Sequence, residues 1–160
     1  MQVSEEFLLA TNLVYVEEVI PHADWFKPAL NLRRELIKED VYYTNPVIFT
    51  VEDIVDNPTH GKYTYYIELD PHMGEDPVVN FRQEDILAVI PALYVRCTEI
   101  DELEEAYELL RAHAKENEIE LEGPFYHVCF DAFDSPIMDI FIAIKEEEKG
   151  FKKWFKKWLK

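Results

Sequence analysis

An aspartate in the middle of an apolar strand is the first residue of this chain that asks for a chemical explanation. Residues 123–144, GPFYHVCFDAFDSPIMDIFIAI, read as a β-hairpin. Tyr126, Val128 and Phe130 alternate with Phe125, His127, Cys129 and Asp131, and Asp134-Ser135-Pro136 supplies turn chemistry. The return strand sends Met138, Ile140, Ile142 and Ile144 one way and Ile137, Asp139, Phe141 and Ala143 the other. Burying an unpaired carboxylate costs several kcal/mol, so Asp139 needs polar, wet or cationic surroundings. One reading is an exposed strand face or a local ion pair. The other is an acid set in a groove to receive a cationic ligand. Ring faces attract organic cations as well, and the candidate walls are Tyr15, Tyr66, Tyr94, Phe141 and Trp25. Each of these five also fits plain core.

A second chemical feature closes the chain. In residues 150–160, GFKKWFKKWLK, the apolar Phe151, Trp154, Phe155, Trp158 and Leu159 recur at helical spacing. Lys152, Lys153, Lys156, Lys157 and Lys160 fall on the opposite face. So short a segment does not hold a helix alone in water, where about 12–15 residues are needed. It requires a surface: its own acidic body, a partner's groove, or an anionic membrane.

Other chemistries find little support. The chain has no recognisable nucleophile motif, glycine-rich phosphate loop or metal-ligand spacing, and its five histidines are scattered. No metal and no cofactor is expected. A net charge of −17 argues against nucleic acid as a partner. The first twenty residues carry four glutamates and no basic stretch, and no apolar run is long enough to span a bilayer. The expectation is a cytoplasmic protein with reduced, buried Cys97 and Cys129, and the tail leaves membrane association open. With 160 residues and 14% aromatics, one domain can bury roughly 70% of its unfolded surface.

The elements that must position these residues come in two similar sets. Residues 7–20 hold a strand centred on Leu13-Val14-Tyr15-Val16, and a helix capped by Asp24 runs to about residue 38, with Trp25, Ala29, Leu32 and Leu36 on one face. Strands follow at 47–51 and 62–69. After an acidic, proline-containing connector at 70–85, a strand region at 86–97 is centred on Ala92-Leu93-Tyr94-Val95. A helix capped by Thr98 or Asp101 then runs to about residue 116, with Leu103, Ala106, Tyr107, Leu110 and Ala114 as its apolar stripe and Asn117 as its left-handed stop. The hairpin completes the second set. In this register Tyr15 answers Tyr94, Pro46 answers Pro124, and Thr64 takes the place of Asp139. The expected fold is α+β: a duplicated β-α-β-β unit forming one antiparallel sheet with two helices on one face, plus a C-terminal amphipathic helix. The domain would span 1–149 and the tail 150–160.

Residues 8–145 resemble the GyrI-like small-molecule-binding domain, the effector-binding domain of multidrug-responsive regulators, in stand-alone form. The likeness is clearest in ALYVRCTEIDELEEAYELLRAHAKENEIELEGPFYHV and MDIFIAI. It implies a pseudo-twofold domain with a central groove, and places Asp139 where the family carries an acid on its last strand, usually glutamate in E-I-x-I-P-I. Here the acid is one methylene shorter, and Ala143 replaces the proline. The expected function is a binder of small lipophilic cations in an aromatic groove. The alternatives are an interaction protein without a small ligand, and a hydrolase in which Asp139 and Glu68 activate water.

Overall fold

The computed structural model describes residues 1–70, 81–130 and 136–146, with the side chains of 44 and 45 set aside. The described elements are β1 (Ser4–Pro21), α1 (Lys27–Lys38), β2 (Tyr43–Asp53), β3 (His60–Leu69), β4 (Arg82–Cys97), α2 (Leu103–Glu116), β5 (Leu121–Phe130) and β6 (Ile137–Ile144). A short 3-10 turn precedes each helix, at His22–Asp24 and Ile100–Glu102. Each half thus runs strand, turn, helix, strand, strand. The connector at 71–80, the hairpin turn at 131–135 and the tail at 147–160 lie outside the described residues.

The strands pair antiparallel in the order β1-β3-β2-β5-β6-β4, and β4 returns to β1 to close a barrel. The expected antiparallel sheet is thus closed on itself, through a β1–β4 pairing that the expectation did not include. The reason is strand length. β1 and β4 start earlier than the apolar runs indicate, at Ser4 and Arg82, and the added residues reach beyond their own halves to each other. Ser4 lies opposite Tyr94 and Tyr15 opposite Arg82, while the later part of β1 pairs with β3 from Leu13↔Glu68 to Pro21↔His60. A register shift between Glu6 and Leu8 and a left-handed Asn12 (φ 56°) lie along this pairing.

Similar pairings recur in the two halves. Tyr15 faces Tyr66 as Tyr94 faces Phe141, and Glu17 faces Thr64 as Arg96 faces Asp139. Strand alternation divides the apolar side chains between two layers. On one face Val14, Val47, Tyr65, Ile67, Leu93, Val95, Ile140 and Ile142 pack with Leu32 and Leu36 of α1 and Ala106, Leu110 and Ala114 of α2. The other face gathers Leu8, Ala10, Ile48, Val89, Ala92, Val128 and Phe141. Both helices therefore cover the same face, as their apolar stripes require. Cys97 and Cys129 are both buried.

The helix ends differ from expectation. Asp24 does not cap α1: it sits in the 3-10 turn, 2.9 Å from Lys27 Nζ, and Phe26 holds the N-cap position. Before α2, neither Thr98 nor Asp101 caps. Glu99 and Glu102 instead satisfy each other's backbone N–H groups in a capping box around the turn. At its far end the left-handed residue is Glu118 (φ 55°), one beyond Asn117. In β5 the left-handed Gly123 (φ 76°) sits at a register shift, a conformation that glycine adopts without penalty.

Candidate functional site

A cavity of about 570 Å³ lies between the starts of the two helices, above the central β2–β5 pair. Its floor follows from one register. Phe49 lies directly opposite His127, and their rings stack at 4.4 Å with 5° between planes. Trp25, delivered by the turn before α1, meets Phe49 at 5.5 Å, and Tyr63 of β3 meets it at 6.2 Å. Across the cavity Tyr107 of α2 stacks on Phe125 of β5 at 4.5 Å. Tyr65 anchors the Trp25 side by donating its hydroxyl hydrogen to the Trp25 carbonyl. Gly61 permits the close approach of that turn: a Cβ there would stand 2.7 Å from Val51 Cγ2 and 2.8 Å from His22 Cε1.

His127 has no exposed surface. Its Nδ1 lies 3.0 Å from the Phe49 carbonyl oxygen and its Nε2 2.5 Å from the Tyr107 hydroxyl. Burial pushes its pKa down to about 4, against a smaller opposing effect of the Phe49 carbonyl, so the imidazole is neutral at pH 7. Burial, then the negative charge of Glu104, pushes the Tyr107 phenol well above its usual range. Burial, followed by the charge of Asp53, also raises the Tyr63 phenol, whose hydroxyl lies 2.8 Å from His22 Nδ1. Asp53, Glu104 and Arg111 line the cavity as exposed residues at its mouth, and Arg111 spreads over the Phe125 ring at 5.2 Å. The arrangement is an aromatic box with a neutral floor and a mouth whose carboxylates outnumber its cation by two to one. Among the described residues no cluster of His, Cys, Asp and Glu is suited to a metal ion, and no helix is long and apolar enough to cross a membrane.

The six residues expected to bind a ligand do not form one site. Trp25 lines this cavity, whereas Tyr66, Tyr94 and Phe141 belong to the layer on the other face of the sheet. Tyr15 and Tyr66 approach at 5.5 Å and Tyr94 and Phe141 at 5.1 Å. Asp139, on the same face of β6 as Phe141, has its side chain 10% exposed and accepts from Arg96 through Nε at 2.6 Å and Nη2 at 2.9 Å. The Tyr94 hydroxyl adds a third bond to Asp139 at 3.0 Å. A local ion pair thus accounts for the charge on this strand. Glu68 accepts the Thr11 backbone N–H at 2.7 Å, so the two carboxylates considered for water activation are each engaged elsewhere. Sequence reasoning left His127, Tyr107, Phe49, Tyr63 and Phe125 out of the candidate site. Their one signal was a histidine at an inward position of an apolar strand. The tail residues Phe151 to Lys160 lie outside the described residues.

The fold has solved counterparts. The crystal structure of the EcmrR C-terminal domain superposes with a TM-score of 0.73 at 15% identity, over 91% of this chain and 98% of that one. EcmrR in a cryo-EM complex with DNA gives 0.73 at 14% identity, over 91% of this chain and 58% of the longer one. A protein assigned to bacterial transcription regulation from Staphylococcus aureus MU50 gives 0.50 at 14% identity, over 91% and 99%. At such identities the likeness is one of fold. No curated protein matches the sequence. The family model of a domain of unknown function, DUF5085, matches residues 9–148, and the chain belongs to that family.

Proposed function

We propose that this domain is a cytoplasmic binder of a small, flat, lipophilic cation, held in the cavity between the two helices. The observation that carries the reading is the lining itself: Trp25, Phe49, Tyr63, Tyr107 and Phe125 as walls, with Asp53 and Glu104 at the mouth. Flat rings offer cation–π attraction and dispersion to an aromatic cation, and exposed carboxylates raise its local concentration. The likeness in fold to the C-terminal domain of a DNA-associated protein, EcmrR, supports the reading, as does the GyrI-like character of the sequence. A duplicated β-α-β-β unit would set the cavity on its pseudo-twofold axis. In this reading Asp139, held by Arg96, keeps a structural role.

A thermal-unfolding screen tests it, using flat aromatic cations beside neutral and anionic analogues of the same shape. A cation present at about 100 times its Kd should stabilise the fold by about 2.7 kcal/mol. Trp25→Ala and the pair Asp53→Asn with Glu104→Gln should weaken the cation, whereas Asp139→Asn should not. Equal response to all three ligand charges would remove the electrostatic part of the reading. No response to any ligand, with a protein recovered by pull-down, would favour an interaction protein instead.

The basic aromatic tail at 150–160 is proposed as a docking element for the acidic body or for an anionic membrane surface. Co-sedimentation at low salt separates the two. Anionic vesicles that leave the intact chain in the supernatant would end the membrane alternative. If they pull it down, truncation after Lys149 should abolish binding and leave the fold intact.

A further inference from the structure

We infer that the cavity selects a cation bearing N–H groups, such as a protonated aromatic amine or amidinium, over a permanently quaternary cation of the same shape. The inference rests on the cation-binding reading above and deepens it. It follows from where the protons on the floor must lie. A carbonyl oxygen only accepts, so the 3.0 Å contact between His127 Nδ1 and the Phe49 oxygen requires a proton on Nδ1. In the neutral imidazole Nε2 is then bare, and the 2.5 Å contact to Tyr107 requires the phenol to donate. The Tyr107 proton is spent on the floor. What its oxygen offers a ligand is lone pairs.

The same holds at the mouth, where Asp53 and Glu104 as carboxylates only accept. Against these stands the exposed Arg111, whose guanidinium carbon lies 5.2 Å from the centre of the Phe125 ring. An entering cation therefore meets acceptors both at the mouth and beside the floor. If it carries N–H groups it can satisfy the Tyr107 oxygen with a charge-assisted bond, which is stronger than a neutral one. A quaternary cation presents only C–H groups there and leaves that acceptor without an N–H donor. The His127 tautomer thus sets ligand choice without touching the ligand.

The test compares 9-aminoacridinium with N-methylacridinium, two tricyclic cations that differ in N–H content, by calorimetric titration of the full chain at pH 7.5. The N–H-bearing probe is expected to bind roughly 10- to 100-fold more tightly, the range for one charge-assisted hydrogen bond. Tyr107→Phe keeps the wall and removes the acceptor, and should narrow the preference to about three-fold or less. Equal wild-type affinities would overturn the inference and leave the cation reading standing. Binding of neither probe would overturn both. A preference that survives intact in folded Tyr107→Phe would also overturn it, because the acceptor would then lie elsewhere. Should that variant fail to fold, the wild-type comparison decides alone.

Discussion

Acidification from pH 7 to pH 4.5 is expected to cost the fold about 2 kcal/mol through His127 alone, with the loss levelling off below about pH 4. The sign follows from proton counting. In the unfolded chain the imidazole takes up its proton near pH 6.5, whereas in the folded state burial holds the pKa at about 4. Between these values the unfolded state binds more protons, so stability rises with pH across the window and is lost as pH falls. The buried ring cannot relieve this by hydration, because it is closed in by the Phe49 ring on one side and the Tyr107 hydroxyl at its edge. Urea unfolding at pH 7 and pH 4.5 measures the effect against His127→Gln, which keeps a donor and an acceptor but does not titrate. Carboxylates contribute alike to both proteins. If the two lose the same stability, His127 is not the acid-sensitive group.

Arg96→Met should destabilise the protein by about 2–3 kcal/mol, more than its own exposure suggests. The guanidinium is 55% exposed and partly screened, so the cost does not come from losing its charge. It comes from leaving the Asp139 carboxylate, only 10% exposed, with Tyr94 as its remaining side-chain hydrogen-bond partner among the described residues. Replacing the acid instead removes the buried charge, so Asp139→Asn should cost about 1 kcal/mol. The double variant Arg96→Met with Asp139→Leu should recover most of the loss, since Val128 lies directly opposite and Phe141 follows on the same strand face, both in the apolar layer. Denaturant midpoints of Arg96→Met, Asp139→Leu and the double variant form the cycle, with Asp139→Asn measured beside them. Strictly additive losses would show that the pair is uncoupled.

These two sites also mark where sequence reading succeeds and where it stops. The alternation along β6 was legible because its period is local: Met138, Ile140 and Ile142 pack with the helices, and Phe141 packs in the other layer. The need of Asp139 for a polar or cationic neighbour was legible from the cost of burial. Its partner was not, because Arg96 is 43 positions away and meets it only through the β4–β6 register. The expected repeat set Tyr15 against Tyr94, yet Tyr94 packs in the layer away from the helices and Tyr15 meets Tyr66 of that layer, while the cavity formed on the other side. His127 was placed on the right strand, but its role depends on Phe49 across β2 and Tyr107 on α2, neither of which is near in sequence. Barrel closure escaped for a similar reason. The charged starts of β1 and β4, with Glu5, Glu6, Glu84 and Asp85, fall outside the apolar runs at 7–20 and 86–97, and their pairing depends on backbone rather than on apolar pattern.

Closure has a further consequence for how this domain can be recruited. A sheet with ends offers unpaired N–H and C=O groups to any extended peptide, and to a second copy of itself. Here β1 and β4, which would be those ends, bond to each other from Ser4↔Tyr94 to Tyr15↔Arg82. A partner cannot append a strand to this sheet without first prising that pairing apart. Among the described residues, recognition falls to side chains such as those on the helices and around the cavity mouth, and the barrel is protected from the edge-to-edge polymerisation to which six apolar strands would otherwise be prone.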